Sequence, residues 1–297
     1  MRYLVSILTL LFAAPCILAQ NWAEVQRDGD RYVWGEGWGQ TLEEADNQAL
    51  SMLASKISLI VSNEFRSTEG QSSSGQQTTH FMSVENSLHT FSNASLTNTG
   101  VEVLGNGKKA HVVRWISRSD IEKMRDTRSR RVLEYFSEAE RSERAGNIGN
   151  ALRGYYWAYA LARAYPDLSA ICVKDHEGES HTLSHWLPEK LNGILSDLRV
   201  NATLTGNHAT LSFCFRGDPA EGIEFSYFDG RGWSDNVQAD NGRKVIDLAY
   251  NTRPEYLHIR YEYMFLNQAR LDRELEAALS ALKDEPLRKA WTAIEIR

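Results

Sequence analysis

Cysteine and proline are scarce in this 297-residue chain, at 3 and 6 residues. So few cysteines exclude a disulfide-scaffolded miniprotein, and a zinc ribbon would need paired Cys-x-x-Cys ligands that are missing. A positive surplus is missing too. The net charge is −6, which argues against the concentrated basic surface that nucleic-acid binding demands. Beyond residues 1–19 no apolar run approaches the ~18 residues of a membrane span, so the remainder is not expected to cross a bilayer. The chain also has no G-x-G-x-x-G, no Gly-Lys-Ser/Thr phosphate loop and no G-x-S-x-G elbow.

What is present is globular in balance: 42% apolar and 24% charged residues, with 8 Trp and 12 Tyr for packed cores. The length suits two or three domains. Residues 1–19, MRYLVSILTLLFAAPCILA, begin with Arg2, continue as a short apolar run and end Ile17-Leu18-Ala19. That is the pattern of a cleaved signal peptide, with the cut before Gln20. Pro15 precedes Cys16, which argues against lipidation of that cysteine. Removing the leader, whose one charged residue is Arg2, would take the net charge from −6 to −7. The expected product is exported and periplasmic. Its remaining cysteines, Cys172 and Cys214, either pair across a loop of about 40 residues, for roughly 3–4 kcal/mol, or sit apart as separate thiols.

Strand-like Tyr32-Val33-Trp34 runs into Gly35, Gly37 and Gly39, then Thr41 and Glu44 form a capping box before a helix. Leu42, Ala45, Ala49, Leu53 and Ile57 give that helix one apolar stripe. Residues 66–79 read as a polar loop, His80–Thr97 as a strand, and Gly100–Leu104 with Ala110–Ile116 as a hairpin about Asn106-Gly107. A helix from Ser119 and another over Ile148–Tyr165 are separated by Gly146-Asn147 and must pack as a hairpin. A small strand pair follows, then a helix over Leu187–Leu198. From Val200 to Phe265 the pattern has period two with turn signals between runs, as in an immunoglobulin-like β-sandwich. Asn267–Ala290 reads as a closing helix. The fold class expected is therefore α+β. Its divisions are 1–19 (signal peptide), 22–118 (helix on antiparallel sheet), 119–199 (helical hairpin and connector), 200–266 (sandwich) and 267–297 (terminal helix).

The stretch YVWGEGWGQTLEEADNQALSMLASKISLIVSNEF resembles the domain of the LPP-twenty envelope lipoproteins, and in pattern the N-terminal domain of flagellar assembly protein T. Gly35, Gly37 and Gly39, the spaced Ala45 and Ala49, and Lys56-Ile57-Ser58 carry the resemblance. The hairpin resembles a single tetratricopeptide-type unit through Gly146, Ala151, Tyr155 and Ala158, with Pro166 later than that pattern places it. Neither resemblance implies a catalytic residue or a cofactor. Both imply an envelope protein that works through contacts with another protein or a cell-wall component.

Candidate sites are few. Gly35, Gly37 and Gly39 between strand and helix offer a superficial phosphate cradle, but Glu36, Glu43, Glu44 and Asp46 would repel an anion, so close packing is the better account. His176, His181 and His185, with Asp175, Glu177 and Glu179, form the densest metal-ligating cluster and are the basis of the alternative, a hydrolase using metal or an unseen carboxylate pair. No metal or cofactor is expected on the leading reading. Arg125, Arg128, Arg130 and Arg131 interleave with Asp120, Glu122, Asp126 and Glu134, as on a solvated, ion-paired helix face. Tyr155, Tyr156, Trp157 and Tyr159 exceed what one helix core needs, so part should cover a neighbour and the rest offer a partner surface. Arg231 and Trp233, in Asp229-Gly230-Arg231-Gly232-Trp233, are the second partner-binding candidate. Self-assembly through strands of the first domain is a further possibility.

Overall fold

The fold is taken from a computed structural model that describes residues 22–68, 96, 99–106, 109–164, 171–175, 178–248, 255–282, 287 and 289–296. It mixes helices with antiparallel sheets, an α+β composition. The signal peptide, and the His80–Thr97 strand apart from buried Leu96, lie outside the described residues.

The first elements are α1 (Trp22–Arg27), β1 (Tyr32–Gly39), α2 (Leu42–Thr68), β2 (Gly100–Asn106) and β3 (Ala110–Ser117). The strands form one antiparallel sheet ordered β1-β3-β2, with a bulge between Val103 and Gly105. The expected hairpin about Asn106-Gly107 is this β2–β3 pair. Period two sorts β1 onto two faces. Val33 and the glycines meet α2, while Tyr32 and Trp34 pack with Trp22, Val25, Val113 and Trp115 on the other face. Helix α1 was not foreseen, and it covers that second face.

The capping box is present: Thr41 Oγ1 accepts from Glu44 N at 3.1 Å, and Glu44 Oε2 accepts from Thr41 N at 3.4 Å and from Gln40 N at 2.8 Å. A Cβ on Gly39 would lie 2.6 Å from Glu44 Cβ and 2.7 Å from Ala45 N. On Gly35 and Gly37 it would overlap the α2 backbone at Ala49 and Ala45. The glycines therefore let helix and strand touch, and α2 fills the space a phosphate would need. Arg114 fixes the other end of this contact, donating to both carboxylate oxygens of Asp46 at 2.6 and 2.7 Å.

Helix α3 (Arg118–Arg144) starts one residue earlier than read, because Ser117 caps it by accepting from Asp120 N at 3.1 Å. It turns back through Gly146 (φ +79°) into α4 (Ile148–Ala164). Gly154 of α4 seats against α3, where a Cβ would stand 2.9 Å from that of Ala139. Strands β4 (Cys172–Lys174) and β5 (Ser180–Thr182) form the small pair, followed by α5 (Leu183–Asp197). Pro188 lies inside α5, so the helix begins a turn before the Leu187 start read from sequence.

Strands β6 (Leu198–Thr205), β7 (His208–Phe215), β8 (Asp218–Pro219), β9 (Glu224–Tyr227), β10 (Val237–Gln238), β11 (Arg243–Asp247) and β12 (Tyr256–Tyr261) realise the period-two region. One sheet joins β11, β7 and β6, with β8 also on β7; the other has the order β10-β9-β12-β13, where β13 is Trp291–Glu295. Their inner faces meet, with the Phe213 and Phe225 rings 4.8 Å apart. The single terminal helix over Asn267–Ala290 is not found. The segment divides into α6 (Leu266–Ala269) and α7 (Arg273–Leu282), and the chain then joins the sheet as β13. Asp272 starts α7 by accepting from Leu275 N at 3.1 Å, which separates it from α6 and leaves Leu271 99% exposed. One hydrophobic cluster runs from Val132 through both sheets to Ala290. Gly149 ties the hairpin to the sheets by donating to Glu221 O at 3.1 Å.

Candidate functional site

The outer face of the β9-β12-β13 sheet carries two exposed tryptophans beside a cation. Antiparallel register sets Arg260 of β12 opposite Trp291 of β13. The loop after β9 brings Trp233 beside them through a bridge to Phe228. That loop is shaped by Asp229, whose carboxylate accepts from Arg231 N at 2.7 Å and Gly232 N at 2.8 Å. The same backbone donors, Gly232 first, hold its pKa below the usual aspartate range. The two indoles meet edge-on at 5.4 Å and 79°, with the Arg260 guanidinium 4.4 Å from one ring centre and 4.1 Å from the other. Trp233 stays 39% exposed and Trp291 53%. A fixed cation between two open indoles can stack on flat or apolar ligand faces and pair with an anionic substituent. Of this group the sequence singled out Trp233 and Arg231. Trp291 and Arg260 were missed, and alternation over Trp291-Thr292-Ala293-Ile294-Glu295 was the available signal.

The tyrosine cluster is largely spent within the fold. Tyr155 and Tyr156 are 0% and 1% exposed. Tyr155 donates to Glu143 Oε2 at 2.8 Å, and burial, with Glu143 beside it, pushes its phenol pKa well up. Tyr156 packs edge-on against Tyr263 at 4.7 Å, and Trp157 Nε1 donates to Met264 O at 2.7 Å. Trp157 and Tyr159 are half-buried, with Tyr159 accepting from Arg163 at 2.8 Å. The neighbour that the cluster covers is the segment after β12.

Three further groups singled out in the sequence are placed as follows. His181 lies on β5 and bonds Asp175 Oδ2 at 2.8 Å while stacking on Trp186 at 4.5 Å; His185 lies exposed on α5 and His176 is outside the described residues. Among the described residues the structure brings no such group of metal-ligating side chains together. Cys172 and Cys214 are not joined: Cys172 is exposed beside Thr182, and Cys214 is half-buried on β7. The arginine face of α3 is not simply solvated. Arg128 is 5% exposed and pairs with Glu274 of α7, while Arg131 bridges Glu274 at 2.6 Å and Asp272. The partners are long-range carboxylates, which helical spacing alone does not show.

A carboxylate pair that no motif marks is formed by Glu224 and Glu262. Glu262 accepts from Met264 N and Phe265 N, each at 2.8 Å, and holds Phe265 in a left-handed conformation (φ +49°). Burial, then the charge of Glu262, raises the Glu224 pKa. A raised carboxyl pKa favours the protonated native state, so its support is complete at low pH and is lost as pH rises through the folded value. Glu224→Gln should therefore raise the melting temperature at neutral pH, with the gain vanishing as pH falls below the ordinary glutamate range. Thermal melts across pH check this, and a pH-independent effect would contradict it.

No protein-family model, curated protein or solved structure matches this chain.

Proposed function

We propose that this chain is an exported, non-enzymatic cell-envelope protein that works by binding, and that its ligand is a cell-wall glycan met by Trp233, Arg260 and Trp291. The architecture that accompanies this reading is an LPP-twenty-like unit over 22–118, a tetratricopeptide-like hairpin, and an immunoglobulin-like sandwich from residue 200. The observation that carries it is the exposed Trp–Arg–Trp arrangement. Indole faces stack on the C–H faces of sugar rings, and the guanidinium suits the carboxylates that cell-wall polymers carry. Leaving two tryptophans open to water serves no folding purpose that the core shows.

Co-sedimentation with purified peptidoglycan sacculi tests the reading. The wild-type chain should pellet with sacculi, and Trp233→Ala with Trp291→Ala should weaken binding by about 2 kcal/mol or more, the scale of a central aromatic contact. A wild-type chain that stays in the supernatant, or a double variant that pellets equally, would refute it. The hydrolase alternative draws its support from the Glu224–Glu262 pair and its raised carboxyl. Turnover of a cell-wall substrate that is lost in Glu224→Gln would favour it instead.

A further inference from the structure

Where β1, α2 and the start of α3 converge, a shallow cavity of about 300 Å³ is lined by Tyr32, Val33, Trp34, Lys56, Leu59, Ile60 and Arg118. We infer that this cavity is a second binding site, for a small amphiphilic anion with an acidic head and an aliphatic tail. Its lining divides by chemistry. Val33, Leu59 and Ile60 supply an aliphatic wall, and Trp34 and Tyr32 supply rings. Lys56 and Arg118 supply two positive charges, and none of the lining residues is a carboxylate.

Lys56 is already placed. Its ammonium stands 3.9 Å above the Trp34 ring, held by that contact rather than by an acid. The Trp34 ring also packs at a steep angle against Trp22, with the ring centres 5.2 Å apart. Neither Lys56 nor Arg118 has an ion pair with any described residue. Arg114, Arg128 and Arg131 find carboxylates, whereas Lys56 and Arg118 stand beside an apolar wall. A head-only anion would leave Leu59 exposed and use none of the wall. A neutral apolar ligand would bury the cations without a partner, which costs free energy. An amphiphilic anion satisfies both halves. The site lies in a different part of the fold from Trp233 and does not depend on the glycan reading.

Calorimetric titration of the purified full chain with octanoate, octanol and inorganic phosphate tests the inference. Octanoate should bind with one site per chain, at least about tenfold tighter than either octanol or phosphate, because only it uses head and tail together. Lys56→Gln and Arg118→Gln should each weaken octanoate roughly 5–10-fold without weakening octanol. Both side chains are peripheral to the cores, and unchanged far-ultraviolet circular dichroism would verify folding. Octanol binding as tightly as octanoate, phosphate displacing it at equal concentration, indifference to both substitutions, or no octanoate binding would each overturn the assignment.

Discussion

Replacing Gly37 with alanine is expected to lower stability by about 3 kcal/mol or more, because the added methyl runs into the backbone of α2 at two points. Overpacking against a flexible side chain relaxes by rotation. Here the obstacles are the Ala45 carbonyl oxygen and the Ala49 nitrogen of α2, and neither moves unless the helix moves. Helix α2 is held at its start by the Thr41–Glu44 cap and across the sheet by Arg114 and Asp46, so a shift would break those contacts as well. For a unit of this size the loss corresponds to a fall of at least ~10 °C in the first melting transition. Gly193→Ala is the matched control. It lies inside α5 with open space where a Cβ would go, and should gain up to about 1 kcal/mol from helix propensity. Equal melting temperatures for the two variants would show that β1 and α2 do not need this close approach.

Arg128→Met is expected to cost about 3 kcal/mol, and the combined change with Glu274→Leu to recover much of it. The guanidinium is nearly inaccessible and pairs with a carboxylate of α7, so removing one partner leaves a charge that water reaches poorly. Arg131, at 2.6 Å from the same carboxylate, limits the damage. Denaturant titration of the single and double variants measures the coupling. A single-variant loss below about 1 kcal/mol would place the pair with ordinary surface ion pairs.

These two sites show what pattern reading can and cannot reach. The Gly35, Gly37 and Gly39 contact was legible because it is local: a strand, a turn and a helix adjacent in sequence, with alternation and cap residues that name the touching faces. The alternating runs between residues 198 and 261 were legible for the same reason. The pairing of Arg128 with Glu274 was not, because 146 positions separate them and charge spacing within α3 offered a cheaper local account. The terminal region misled in a comparable way. Leu275, Ala278, Leu279 and Leu282 do form one helical stripe, but the helix was read as continuous from Asn267 to Ala290, across the break at Asp272 and past its end at Leu282. Of the Trp233 platform, the loop was visible as Asp229-Gly230-Arg231-Gly232, but its two other members come from strands that meet only after the chain has folded back.

Trp291 stands beside Arg260 only while β13 is paired with β12. β13 is the last strand in the order of its sheet, so fraying of that one strand would part the two indoles while leaving the Phe213–Phe225 contact between the sheets in place.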